Sequence, residues 1–112
     1  ISKIKEQIDE LSIKLSKPPI IGCLGLSFKP NIEDLRESPA LLITTELIKH
    51  GYKILSCEPN IKSHPKINLS NLDEVIEKSD ILIFLVAHNC FKDLNLSEKK
   101  IIDVCGITKK KF

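Results

Sequence analysis

The segment Gly25-Leu26-Ser27-Phe28-Lys29-Pro30-Asn31-Ile32-Glu33-Asp34-Leu35-Arg36-Glu37-Ser38-Pro39-Ala40 decides how this chain is read. Ahead of it, Ile20-Ile21-Gly22-Cys23-Leu24 is a short apolar run between a proline pair and a glycine, the mark of a strand covered on both faces. Behind it, Ser38 is a good N-cap and Pro39 a good first helical residue, so a helix is expected through about His50. Gly51 follows where a left-handed cap is wanted. A strand, a long polar loop and a helix N-terminus in that order suit the holding of a phosphate. Lys29 and Arg36 supply a compact charge and a bidentate fork to that loop.

Outward from this segment the pattern repeats. Tyr52 to Cys57 is expected to be a second strand, ending at Glu58-Pro59-Asn60, and Ile61 to Ser70 an irregular connection. Ser70 or Asn71 caps a third helix with Leu72, Val75 and Ile76 inward. Ile81 to Ala87 is the most apolar run and reads as a central strand, followed by His88-Asn89-Cys90-Phe91. Lys100 to Val104 is a last strand before Cys105-Gly106. Upstream, Ile4, Ile8, Leu11 and Leu15 recur at helical spacing, and Lys17-Pro18-Pro19 ends that helix. Strands alternating with helices predict an α/β fold, a Rossmann-like three-layer domain with a parallel sheet, preceded by an N-terminal helix. Ligands of such sheets sit beyond the C-terminal strand ends. The site is therefore expected from the loops Leu26–Glu37, Glu58–Asn60, His88–Phe91 and Cys105–Lys109.

Composition narrows the class. The chain has 112 residues, enough for one domain with one modest core. Seventeen basic residues against 15 acidic ones leave a net charge of +2, too even to argue for nucleic acid. No run approaches the roughly 20 apolar residues that span a bilayer, and no signal-peptide pattern opens the chain, so the expectation is cytoplasmic. The chain contains no methionine and starts inside a helical pattern, which predicts a C-terminal piece of something longer. Cys23, Cys57, Cys90 and Cys105 form no CxxC pair and no histidine lies at zinc-ligand spacing from them. They read as reduced, buried residues, with no metal site.

Gly22-x-x-Gly25 is a weak dinucleotide signal. The full fingerprint needs G-x-G-x-x-G directly on the helix and an acid about 20 residues on. Here the third glycine is missing, the loop is long and Glu58 lies well past that spacing. A Rossmann-like topology survives this comparison; autonomous NAD binding does not. Glu58 is expected to be a solvated strand end, and composition alone slightly favours Arg36 pairing with Glu33, Asp34 or Glu37 on a solvated loop.

The segment from Gly25 to Pro39 resembles the hallmark of the UDP-glucose/GDP-mannose dehydrogenase family, in its C-terminal UDP-binding domain. The family pattern is G-x-[AS]-F-K-x-x-x-x-D-x-R-x-S-P, and every fixed position is present. The Pro-Asn-Ile-x-Asp-Leu-Arg-Glu-Ser-Pro-Ala version is most similar to the UDP-N-acetyl-mannosamine dehydrogenase branch. Further similarity runs through Glu58-Pro59-Asn60-Ile61, Leu85-Val86-x-His88 with Phe91, and Val104-x-Gly106.

The resemblance implies a fragment of an NAD-dependent nucleotide-sugar 6-dehydrogenase, in polysaccharide precursor biosynthesis. Two NAD⁺ turn the C6 alcohol of a UDP-sugar into a carboxylate. It implies that the nucleophilic cysteine and the NAD-binding domain lie in an N-terminal half, so no catalytic residue is assigned here. By resemblance Phe28 and Lys29 contact the UDP-sugar, and Arg36 reaches toward NAD held mainly by the other domain. Residues 1–16 would be the tail of the central dimerisation helix and 17–112 the UDP-binding domain of a homodimer. The family usually carries Lys or Arg at the nucleotide-contacting position where this chain has Cys105. A thiol cannot replace that charge-assisted hydrogen bond, which bears on nucleotide affinity or base preference.

Two rival readings differ in class. One is a non-catalytic nucleotide-binding or oligomerisation module of the same fold, which a stand-alone reading frame would favour. The other, a receiver domain of flavodoxin type, wants acidic clusters at strand ends, whereas the central strand is followed by His88.

Overall fold

A computed structural model describes residues 2–26, 38–59, 64, 67, 69–91, 94 and 99–105. In chain order the elements are α1 (Ser2–Leu15), β1 (Ile20–Leu24), α2 (Pro39–Lys49), β2 (Lys53–Cys57), α3 (Leu72–Lys78), β3 (Ile81–Phe84), a 3₁₀ turn (Asn89–Phe91) and β4 (Lys100–Asp103). The four strands form one parallel sheet in the order β2-β1-β3-β4. The order reverses between β1 and β3, because the first crossover leads to one side of β1 and the next to the other.

The strands are apolar throughout because both faces are covered. On one face Ile21, Cys23, Ile81, Ile83 and Ile102 pack with Ile4 and Ile8 of α1 and Ala40 and Leu47 of α2. On the other, Leu24, Leu82, Phe84 and Cys57 pack with Val75 of α3 and Phe91. The expected three layers are therefore present, and α1 contributes to this core. Leu15, expected inward, is 37% exposed, since the helix ends there and the chain turns away through Ser16 in the left-handed region.

Helix ends follow the capping chemistry. The Ser38 hydroxyl accepts from the Leu41 N–H, and Asn71 Oδ1 accepts from the Glu74 N–H. At the far end of α2, Gly51 takes φ 85° while the Gly51 and Tyr52 N–H groups donate back to Ile48 and Leu47. This is the Schellman arrangement that the glycine predicts. Lys99 Nζ donates to the carbonyls of Ser79 and Glu77, placing a cation at the carboxyl end of α3.

Three strands are shorter than the sequence suggests. β3 stops at Phe84 rather than Ala87 because the N–H groups of Leu85 and Val86 both turn onto the single carbonyl of Leu24. β4 stops at Asp103, and Val104 stands 47% exposed beyond it. β2 likewise starts at Lys53, one residue after Tyr52, whose N–H is used by the helix cap.

Glycine is required at two places, one within β1 and one just after it. A Cβ on Gly22 would lie 2.5 Å from Ser79 Oγ and 2.7 Å from Val75 Cγ1, so this glycine lets the end of α3 onto the sheet. Gly25 has φ 103°, and a Cβ there would meet Val86 at 2.6 Å.

Candidate functional site

The described edges of the site lie where β1, β2 and β3 end. Leu26 follows β1, Glu58 follows β2 and His88 lies shortly after β3. Glu58 is buried, contrary to its expected place as a solvated strand tip. Its Oε1 accepts from the Leu26 N–H at 2.7 Å and is 2.9 Å from His88 Nε2. Removal from water is costly for a carboxylate, and these two donors offset that cost. Oε1 accepts from the backbone, and with Glu58 ionised the hydrogen on the His88 side of the contact is carried by Nε2. Phe91 stands edge-on to the His88 ring, with centroids 5.4 Å apart, and to Phe84 at 6.2 Å.

The other side of Leu26 is held by α2. Ser38 donates its hydroxyl to the Leu26 carbonyl while accepting from Leu41, so one side chain closes the loop base and caps the helix. Leu26 and Ser38 are thereby fastened to each other, and Leu26 to Glu58 at the end of β2.

Phe28, Lys29 and Arg36 lie outside the described residues; the structure locates the anchors on either side of them. Cys105 is half-buried just past β4, with its thiol directed at Asp103 Oδ1 over 3.8 Å. The buried-cysteine expectation holds for Cys23 and Cys57 and fails for Cys90, which is exposed because Phe91 takes the inward position of the 3₁₀ turn. All four are free thiols. Burial pushes the Cys23 and Cys57 thiols up to about 12, so neither is an activated nucleophile.

Beyond β2 and β3 a groove of about 460 Å³ opens beside Glu58, Pro59, Ser70, Asn71, Leu72 and Cys90. A larger groove of about 680 Å³, lined by Glu10, Lys14, Asp80, Lys99 and Lys100, lies at the opposite end, where β3 and β4 begin. The strand-end rule favours the former as the ligand face. Among the described residues no group of three or more His, Cys, Asp or Glu is placed to hold a metal ion. No described helix is long and apolar enough to cross a membrane. Gly22, the first glycine of the weak dinucleotide signal, is occupied in admitting α3 to the sheet.

A reading of the sequence puts His88 in a loop expected at the site but gives its side chain no role of its own. Its signal is faint: a histidine two residues past a central apolar run, with an acid at the tip of another strand.

A parallel, three-layer α/β sheet with polar anchors at its switch point defines a Rossmann-like nucleotide-binding class. Within that class, the UDP-glucose/GDP-mannose dehydrogenase family, UDP binding domain, matches residues 22–110, and the chain belongs to this family. The UDP-N-acetyl-D-mannosamine dehydrogenase of Escherichia coli (strain K12) is 43% identical over 97 residues, covering 78% of this chain and 23% of that protein. The protein of the same description from Campylobacter jejuni is 37% identical over 113 residues, covering 94% and 26%. The solved UDP-N-acetyl-mannosamine dehydrogenase from S. aureus superposes with a TM-score of 0.76 at 19% identity, over 95% of this chain and 26% of that one, a likeness of fold. The chain thus spans about a quarter of the length of the relatives it matches. These relatives are dehydrogenases, and this chain corresponds to their UDP-binding part.

Proposed function

We propose that this chain is the UDP-sugar-binding domain of an NAD-dependent nucleotide-sugar 6-dehydrogenase. The reaction is oxidation of UDP-N-acetyl-mannosamine to UDP-N-acetyl-mannosaminuronate for polysaccharide precursors, in the cytoplasm. The observation that carries the reading is the fastening of Leu26 and Ser38 at the switch point, at the two ends of the family's hallmark loop. Phe28 and Lys29 bind the UDP-sugar, Cys105 borders the nucleotide, and Arg36 faces the NAD. NAD itself supplies hydride acceptance and is held mainly by an N-terminal domain, which also carries the cysteine nucleophile. Residues 1–16 continue into the dimerisation helix of a homodimer, and 17–112 form the binding domain. The work of this chain is to bind and orient.

Calorimetric titration of UDP into the 112-residue chain tests the reading. Wild type should bind, and Lys29→Ala should lose about 1.5–3 kcal/mol, the worth of a hydrogen bond to a charged group. Equal affinities would assign Lys29 to solvent.

A further inference from the structure

Two of the four free thiols line one groove, the one that opens beyond β2 and β3. Cys57 is the last residue of β2 and only 4% exposed, whereas Cys90 stands exposed on the 3₁₀ turn after β3. The two are far apart in the chain, and three observations bring them together. Phe91, the neighbour of Cys90, packs in the same buried cluster as Cys57. Glu58, the neighbour of Cys57, has its Oε1 2.9 Å from Nε2 of His88, which lies just ahead of Cys90. Burial raises the Cys57 thiol to about 12, and Cys90 and then Glu58 add to that rise through space, an effect that needs proximity.

We propose that Cys57 and Cys90 form a dithiol that a hydroperoxide closes to a disulfide, pinning the turn after β3 to the end of β2. The Cys90 sulfur attacks one peroxide oxygen and the O–O bond breaks. That oxygen stays as Cys90–SOH, and the other leaves as water or alcohol with the thiol proton. The Cys57 sulfur then attacks the sulfenic sulfur: the S–S bond forms, the S–O bond breaks, and the hydroxyl leaves as water with the Cys57 proton. Two electrons pass from the two thiols to the peroxide. Cys90 takes the first step because it is the thiol a reagent can reach, and its exposed side chain is the one with room to rotate.

The chemistry of the two sites makes this a slow lock. Partial burial and the nearby Glu58 carboxylate hold the Cys90 thiol above its usual value, so little thiolate is present at neutral pH. A sensing thiol is ionised and open to solvent; this pair is neither on the Cys57 side. The same burial shields the closed bond, because exchange needs access to the sulfur attacked.

Hydrogen peroxide, added in equimolar amount to the 112-residue chain and to Cys90→Ser, tests the proposal. After capping with iodoacetamide and digestion without reduction, wild type should yield a Cys57–Cys90 linked peptide, and its intact mass should fall by two hydrogens. The rate should climb about tenfold per pH unit from pH 7 to 8, following the thiolate. The linked chain should have a urea midpoint raised by about 1 M, since the bond closes a loop of roughly 30 residues. Cys90→Ser should leave Cys57 a free thiol that caps only after unfolding. Oxidised or capped Cys90 beside a free Cys57 would show that the sulfurs do not meet, and overturns the proposal. A link from Cys90 to any other cysteine, or to a second chain, overturns it too. A rate independent of pH would overturn the slow lock.

Discussion

Glu58 and His88 meet at 2.9 Å across the end of the strand that lies between theirs. The pair bridges β2 and β3 over β1, and the same carboxylate oxygen holds the first peptide beyond β1. A contact of this kind ties the Leu26 peptide to the neighbouring strand ends through side chains, where the backbone ladder has run out.

Gly25→Ala should be among the costliest single-methyl additions in the chain. It combines a left-handed φ of 103° with a Cβ 2.6 Å from Val86, for roughly 2–4 kcal/mol. Gly51→Ala meets nothing within 4 Å and carries only the left-handed penalty, about 1 kcal/mol. Urea midpoints of the two variants would test the ranking; equal losses would mean that Val86 yields freely.

Ser38→Ala should cost more than Asn71→Ala. Each removes an N-cap acceptor, worth about 1 kcal/mol. Ser38 alone also donates to the carbonyl of buried Leu26, and an orphaned buried group adds about 1–3 kcal/mol. Denaturant melts of both variants give the comparison, and a Ser38→Ala loss no larger than that of Asn71→Ala would count against the loop clasp.

Alkaline pH should destabilise the fold through Cys23. Complete burial raises its thiol from 9.0 to about 12, so between those values the unfolded chain ionises and the folded one does not. Stability from this group is whole below pH 9 and is lost as pH climbs toward 12, at about 1.4 kcal/mol per pH unit. Cys23→Ala should flatten the fall in urea midpoint between pH 9 and 10.5 relative to wild type. Parallel curves would show that the thiol does not contribute.

Arg36 should matter for oxidation more than for holding UDP in the full-length dehydrogenase. Arg36→Lys keeps the charge but loses the planar fork. The expected result is a raised KM for NAD⁺ or lowered kcat with UDP affinity little changed. If Arg36 only pairs with neighbouring acids at the surface, worth about 0–1 kcal/mol, both assays should match wild type. Loss of UDP binding with NAD⁺ dependence intact would reverse the roles given to Arg36 and Lys29.

The elements whose causes are local were legible in the sequence. Ile20–Leu24 announces a strand covered on both faces, and Ser38-Pro39 with Gly51 brackets α2 nearly to the residue, because caps act over three or four positions. The hallmark loop was legible too, as a motif, and with it the family. The strand ends required the tertiary structure. Leu85 and Val86 are as apolar as Phe84, and only the carbonyl of Leu24, far back in the chain, takes their N–H groups out of the ladder. Glu58 was misread for the same reason. An acid before Pro59-Asn60 has the composition of a solvated turn, and Leu26 and His88, which meet it among the described residues, lie 32 residues before it and 30 after. No local pattern encodes that meeting. It exists because parallel crossovers bring three strand ends together, where burying a carboxylate is tolerable only when donors arrive from both sides.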